Sequence, residues 1–217
     1  MSGIAAAIGI AAEGFALSLA IFLVAIALIV LGFHRTGGLI VIFGLAIASF
    51  FRDPDRFPSR TDGVVLSGAD GKVTDVAEVE MPGMPGVKCH RVSVFMSPLN
   101  VHVNRAPVGG VVTRVEHTAG EFRAAFRDEA SEHNERNLMV FRDAADRPFG
   151  MMQVAGYLAR RIICKLRVHD RIEAAQRIGL IMFGSRVDHF IPLEYRVTVA
   201  PGARVRAGES VLGELNQ

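Results

Sequence analysis

The hydropathy pattern divides the chain into two unlike parts. From Gly14 to Phe33 no residue is charged, and Phe15 to Leu31 is apolar on every face of a helix. Twenty helical residues reach about 30 Å, enough to cross the hydrocarbon core of a bilayer. After His34-Arg35-Thr36 a second apolar stretch runs from Gly37 to Phe51. As a helix it covers only about 22 Å, which is short for a full crossing. The pair predicts a membrane-embedded helical hairpin within residues 1–56, either two spans or one span with a re-entrant or interfacial segment. A secretory signal would need a basic start and a shorter apolar core, and no Lys or Arg precedes Arg35. Arg52, Arg56 and Arg60 follow the hairpin directly. By the positive-inside tendency they place residues 57–217 on the cytoplasmic face of the cell (inner) membrane.

Beyond the hairpin the pattern changes to short runs of alternating apolar and polar residues. Val73–Val76, Lys88–Phe95, Gly110–Val115 and Tyr195–Val199 read as strands, with turn residues at close intervals between them. The expected fold is mainly β with a few short helices (α+β), a sandwich or barrel-like domain. Helix is expected only around Glu121–Arg127 and Asp170–Gln176. Met81-Pro82-Gly83-Met84-Pro85-Gly86 lacks the lysine and following helix of a phosphate-binding loop and reads as a hairpin loop. Gly63–Val73 and Val199–Glu209 resemble the hammerhead strands of lipoyl- and biotinyl-type barrels. No lysine stands at a hairpin tip to carry such a group, which disfavours a swinging-arm carrier.

Composition narrows the function classes. Mean hydropathy is +0.32, high for a soluble protein, with the excess in the N-terminal segment. The formal net charge of +2 is mild, but Arg160, Arg161, Lys165, Arg167 and Arg171 are concentrated in one stretch. Such a cluster suits an anionic bilayer surface or lipid headgroups, although a solvated strand face has the same composition. Nucleic acid fits poorly, since Trp is absent and no binding motif is present. Cys89 and Cys164 show no C-x-x-C spacing and read as free thiols in a reducing compartment. The histidines have no metal-ligand spacing, so neither a metal nor a nucleotide is expected.

The chemistry concentrates at Phe183-Gly184-Ser185-Arg186, which ends the apolar run Gly179–Met182. A Gly-Ser peptide in a strained turn can be attacked by its own serine. Ser185 Oγ adds to the Gly184 carbonyl, the acyl group shifts from nitrogen to oxygen, and β-elimination splits the chain. The resulting dehydroalanine hydrolyses to an N-terminal pyruvoyl group, a ketone electrophile that does work otherwise left to pyridoxal phosphate. Glycine suits the position before the scissile bond because it tolerates unusual backbone angles. By itself the dipeptide reads as an ordinary tight turn between strands. A reacting serine also needs a base, and a group to orient that base.

Four ordered motifs add weight. Ser67-Gly68-Ala69-Asp70-Gly71-Lys72-Val73, Phe95–Pro107 with Val101-His102-Val103-Asn104-Arg105-Ala106-Pro107 at its end, Asn134-Glu135-Arg136-Asn137, and Phe183-Gly184-Ser185 together resemble the phosphatidylserine decarboxylases, in their short bacterial form. The resemblance runs in order from Phe50-Phe51-Arg52-Asp53-Pro54 almost to the C-terminus. It implies a self-cleaving enzyme, cut between Gly184 and Ser185, with Asp70 and His102 assisting Ser185. It further implies a covalent pyruvoyl group on residue 185, without metal or pyridoxal phosphate, that converts phosphatidylserine to phosphatidylethanolamine and CO2 through a Schiff base. The partners implied are phosphatidylserine, membrane lipids and the two cleavage products held as a heterodimer, with a higher homo-oligomer left open. Two departures stand out. Larger relatives carry two histidines three residues apart where this chain has His102 and Arg105, so either both roles fall on His102 or Arg105 takes one as a cation. The family's G-S-T is Gly184-Ser185-Arg186 here, and Arg105 and Arg186 become candidates for binding the substrate's carboxylate or phosphate. Two alternatives stay open, a pyruvoyl decarboxylase of another amino-acid headgroup and a non-catalytic membrane-tethered β-domain adaptor.

Overall fold

A computed structural model describes residues 9–121, 133–156, 161–182 and 184–216. Its chain falls into two compact units, Met1–Asp55 and Arg56–Gln217. In the first, helix α1 (Ala12–Val30) and helix α2 (His34–Phe50) form an antiparallel hairpin. Small residues make the seam: Gly14, Ser18 and Ala25 are buried on α1, Gly37 and Gly44 on α2. A Cβ at Gly37 would lie 2.4 Å from Ile29 Cγ1 and 3.0 Å from the Ala25 carbonyl oxygen, so glycine is what lets the helices approach. Leu19, Leu23, Ile26 and Val30 on α1, and Leu39, Ile42 and Phe43 on α2, point outward and are exposed. Helices that present leucine and isoleucine outward are consistent with membrane association. Among the described residues, α1 alone is both long and apolar enough for a crossing, and α2 is shorter, as its apolar stretch implied.

The second unit is mainly β, as the alternation predicted. Its strands are β1 (Val64–Leu66), β2 (Gly71–Glu80), β3 (Lys88–Met96), β4 (Val103–Arg105), β5 (Gly110–Thr118), β6 (Arg136–Arg142) and β7 (Pro148–Val154). They continue with β8 (Ile162–Cys164), β9 (Arg171–Ile172), β10 (Arg177–Ile181), β11 (Ser185–Pro192), β12 (Tyr195–Val197), β13 (Arg204–Val205) and β14 (Val211–Leu215). One eight-stranded sheet has the order β13-β2-β3-β11-β7-β6-β5-β9, and two small sheets run β1-β14-β12 and β4-β10-β8. The large sheet curls as a half-barrel. Its core includes Val73, Val94, Met96, Met139, Phe141, Met151, Ile178, Val187 and Ile191, contributed by alternate positions as the period-2 pattern requires. The opposite face of its middle strands carries a second cluster with Met152, Val154 and Phe190.

Several sequence expectations can be checked locally. Met81–Gly86 is the loop of the β2–β3 hairpin, closed by the Met81 N–H on the Val87 carbonyl at 2.7 Å. The two hammerhead-like segments lie side by side, with Arg204 opposite Lys72 and the Gly208 N–H donating to Ser67 O at 2.7 Å. The helix expected over Asp170–Gln176 does not form. Arg171 and Ile172 instead pair with β5, and Ile172 is buried in the core. Two side chains compete there with helical hydrogen bonding: Asp170 Oδ2 accepts the Arg167 N–H at 2.7 Å, and Gln176 Oε1 accepts the Glu173 N–H at 2.9 Å. Ala175 completes the turn at φ 64°. Of the other expected helix, residues 122–127 lie outside the described residues, as do Phe183 and Arg160. Glu121 forms a bridge with Asn134.

Candidate active site

Ser185 opens β11, the strand held between β3 and β7 in the middle of the large sheet. All eight positions of β11 are buried, with β3 pairing along Ser185–Pro192 and β7 along Arg186–Phe190. Gly184, just before it, sits at φ 60°, the left-handed region where a side chain would be strained. A conformational break therefore coincides with the Gly184–Ser185 bond. Ser185 is fully buried opposite Met96 of β3, and its Oγ donates to Met96 Sδ at 3.5 Å.

His102 reaches the same region from β3 by a tight turn. The Asn100 side-chain oxygen accepts from the Ser97 N–H at 2.9 Å and from Ser97 Oγ at 2.8 Å, folding Ser97–Asn100 back on itself. The Asn100 carbonyl then accepts a hydrogen bond from His102 Nδ1–H at 2.9 Å. Since a carbonyl can only accept, this bond assigns the Nδ1–H tautomer and leaves Nε2 as the basic nitrogen. The His102 carbonyl accepts from the Ile181 N–H at 3.3 Å, and Val103 stands opposite Leu180, so His102 borders the strand that leads into Gly184.

Asp70 precedes β2 and shares a cavity of about 380 Å³ with Asn100, Arg204 and Arg206. Its carboxylate does not bond His102. Both oxygens accept from one Arg56 nitrogen, at 3.1 and 2.9 Å, and Oδ1 also accepts the Ala207 N–H at 2.7 Å. Ser185, His102 and Asp70 thus stand on adjoining elements at one end of the large sheet without a hydrogen bond between Ser185 and either of the others. Arg105 donates to the Ala175 carbonyl at 3.2 Å. Arg186 lies on the face of β11 away from the Ser185 side chain. It is buried there with Asp188, Nε to Oδ1 at 2.9 Å and Nη2 to Oδ2 at 3.1 Å.

Comparison with known proteins decides the family. The sequence pattern described as phosphatidylserine decarboxylase matches residues 43–213, which takes in Asp70, His102 and Ser185. The chain belongs to the phosphatidylserine decarboxylase family. A protein of Anaplasma phagocytophilum named phosphatidylserine decarboxylase proenzyme is 44% identical over 201 residues, covering 89% of this chain and 87% of its own. Proteins of the same name from Gluconobacter oxydans and Mycolicibacterium smegmatis are 46% and 44% identical, each covering 75% of its own length. An enzyme of this decarboxylase kind is what the family membership establishes.

Within this family member, several buried polar residues escaped sequence reasoning. Arg56 was legible only as a charge after the hairpin, yet it is the principal partner of Asp70 and also meets Glu209 at 3.4 Å. His189, four residues after Ser185, is fully buried. Its Nε2 accepts the Gly68 N–H at 2.7 Å and its Nδ1 donates to the Val92 carbonyl at 3.2 Å. Burial lowers its pKa to about 4, against smaller upward influences from the Val92 carbonyl and the Asp188 charge. A row of side-chain amides, Asn104, Gln153 and Asn137, crosses the core beneath Met96. Asn104 and Asn137 lie within motifs that carried the family resemblance, with no role given to either amide, and Gln153 lies in a segment with no motif or strand reading of its own. Burial also pushes the Cys89 thiol up to about 11, which suits an inert thiol.

Proposed function

We propose that this chain is a self-processing, pyruvoyl-dependent decarboxylase that converts phosphatidylserine to phosphatidylethanolamine at the membrane. The observation that carries the proposal is the conjunction at residues 184–185. A left-handed glycine precedes a fully buried serine at the first position of a strand, in a family whose curated relatives are named proenzymes. Among the described residues the buried Ser185 hydroxyl has only a thioether as acceptor, an unusual arrangement for a structural serine that fits a group awaiting reaction. In this reading His102 Nε2 takes the Ser185 proton, and Asp70 supports the base through the Asn100 turn that borders the same cavity. After cleavage the product beginning at residue 185 keeps β11 through β14, held by the larger product along β3 and β7, so the two products remain a heterodimer. A pyruvoyl group formed from Ser185 would supply an electrophilic ketone and electron sink for the decarboxylation.

The chain's own residues do the rest. His102 holds and returns the proton, while Arg105 supplies a cation for the substrate's carboxylate or phosphate. Arg186 can serve the same purpose only by exchanging Asp188 for the substrate. The apolar hairpin keeps the site at the headgroup plane of the inner membrane, with residues 57–217 on the cytoplasmic side, where the effective substrate concentration is high. The test is whether purified protein consists of two chains divided at 184/185, with the smaller one blocked to Edman chemistry and reducible by borohydride. A full-length chain that decarboxylates phosphatidylserine would overturn the mechanism.

A further inference from the structure

The row of buried amides has a direction, and it ends at Met96 Sδ, the sulfur that Ser185 Oγ also meets. Gly68 O can only accept, so the end of Asn104 that faces it at 3.3 Å is the Nδ2 amine. Asn104 Oδ1 must then face a donor, and it accepts from Gln153 Nε2 at 2.9 Å. Gln153 Oε1 in turn accepts from Asn137 Nδ2 at 3.1 Å. Asn104 and Gln153 are fully buried and Asn137 nearly so, which leaves no water to let any amide turn over. One backbone carbonyl thereby sets the orientation of three side chains across β4, β7 and β6.

The remaining contact of Asn104 Nδ2 is Met96 Sδ at 3.8 Å, the same sulfur that Ser185 Oγ meets at 3.5 Å. Two buried donors thus converge on a thioether, which is a weak acceptor. Under-satisfied donors in a dry site are costly unless a stronger acceptor appears there. Self-cleavage creates one. When Ser185 Oγ bonds to the Gly184 carbonyl carbon and gives up its proton, the carbonyl oxygen becomes an oxyanion. The C–N bond then breaks, the nitrogen takes a proton, and an ester with a free amine remains. Loss of the Cα proton and cleavage of Cβ–Oγ release the Gly184 carboxylate.

We propose that Asn104 is a further catalytic residue, whose Nδ2 donates to the charge that develops at the Gly184–Ser185 bond, and that Gln153 is the positioning residue that holds the amide in that orientation. The proposal rests on the self-cleaving reading above. An oriented amide donor fits this task because it needs no reorganisation when the charge forms.

The test follows cleavage of freshly synthesised full-length chain by denaturing gel and intact mass. Asn104→Leu, close in volume, should slow cleavage about 10²- to 10³-fold, the usual effect of losing one oxyanion donor. Hydroxylamine, which cuts esters, should not restore product, because the ester itself fails to form. Gln153→Glu supplies a readout that a merely structural role would not move. With its carboxyl protonated the variant still donates to Asn104 Oδ1, and with it ionised it cannot, so its cleavage rate relative to wild type should fall as pH rises. An Asn104→Leu chain that melts within a few degrees of wild type and cleaves, or builds up hydroxylamine-sensitive ester, at the wild-type rate would overturn the assignment. Should Asn104→Leu not fold, a pH-independent ratio for Gln153→Glu overturns it instead. Wild type that never cleaves sinks the self-cleaving reading itself, whereas normal wild-type cleavage with unaffected variants sinks the Asn104 assignment alone.

Discussion

Acidification should destabilise this protein through a single buried imidazole. His189 Nε2 accepts the Gly68 N–H at 2.7 Å, so a proton on Nε2 would set two donors against each other in a site without water. Burial accordingly lowers the pKa from 6.5 to about 4. The unfolded chain binds a proton near the ordinary value while the folded chain stays neutral. Stability from this group is therefore complete above about pH 6.5 and declines as pH falls toward about 4. At about 1.4 kcal/mol per pH unit, the loss approaches 3 kcal/mol. That is a large part of the 5–15 kcal/mol typical of a domain. The assay is urea unfolding of the full-length Ser185→Ala chain in detergent micelles between about pH 7 and about pH 4. The same chain with His189→Gln, whose side-chain oxygen can still accept the Gly68 N–H, should show a much flatter dependence. Asp143 acts in a separate window. Partial burial pushes its carboxyl up, but the hydrogen bonds and charge of Arg147 outweigh this and hold it below 3.8, so its contribution is lost only at still lower pH. Equal pH dependence in the His189→Gln and parent chains would refute the reasoning.

Arg56→Ala should cost about 3 kcal/mol, because it leaves the buried Asp70 carboxylate with the Ala207 N–H alone. The thermal midpoint should fall by about 6 to 12 °C, with Arg56→Lys recovering part of the loss. His102→Ala should slow self-cleavage about 10²- to 10⁴-fold, as expected for loss of a general base. Arg105→Ala should leave cleavage largely intact and slow decarboxylation; the reverse pattern, read by gel and by CO2 release, would contradict the assignment. Removal of Met1–Phe51 should leave a domain that folds and cleaves, with activity lost on bilayer phosphatidylserine and kept on a short-chain dispersed analogue. Equal loss on both substrates would place the hairpin within the chemistry.

What the sequence made legible follows from the range of the interactions involved. The apolar hairpin, the β2–β3 loop and the strands around Val73, Val92, Val112 and Tyr195 are local patterns, and each appears where its periodicity put it. The helix expected at Asp170–Gln176 failed because Asp170 and Gln176 bind nearby backbone N–H groups, while Ile172 gains more by burial beside β5 than by joining an isolated helix. At the site, Gly184-Ser185 and the His102 segment could be found as motifs. The partners that surround them could not. Arg56 meets Asp70 across 14 positions, Asn104 meets Gln153 across 49, and Gly68 meets His189 across 121. No local window holds both ends of the last two pairs, nothing in the pattern joins the first, and an amide or imidazole on a strand looks alike whether it faces solvent or a buried network.

The central claim is that Ser185 becomes the reactive group by splitting the chain at its own peptide bond. Intact-mass measurement of the purified, active protein tests it most directly. The account predicts two chains, one ending at Gly184 and one beginning at residue 185, the latter lighter by one ammonia than the same chain with an N-terminal serine. It also predicts a single full-length mass for Ser185→Ala. A single full-length mass for wild-type protein that turns over phosphatidylserine would contradict it.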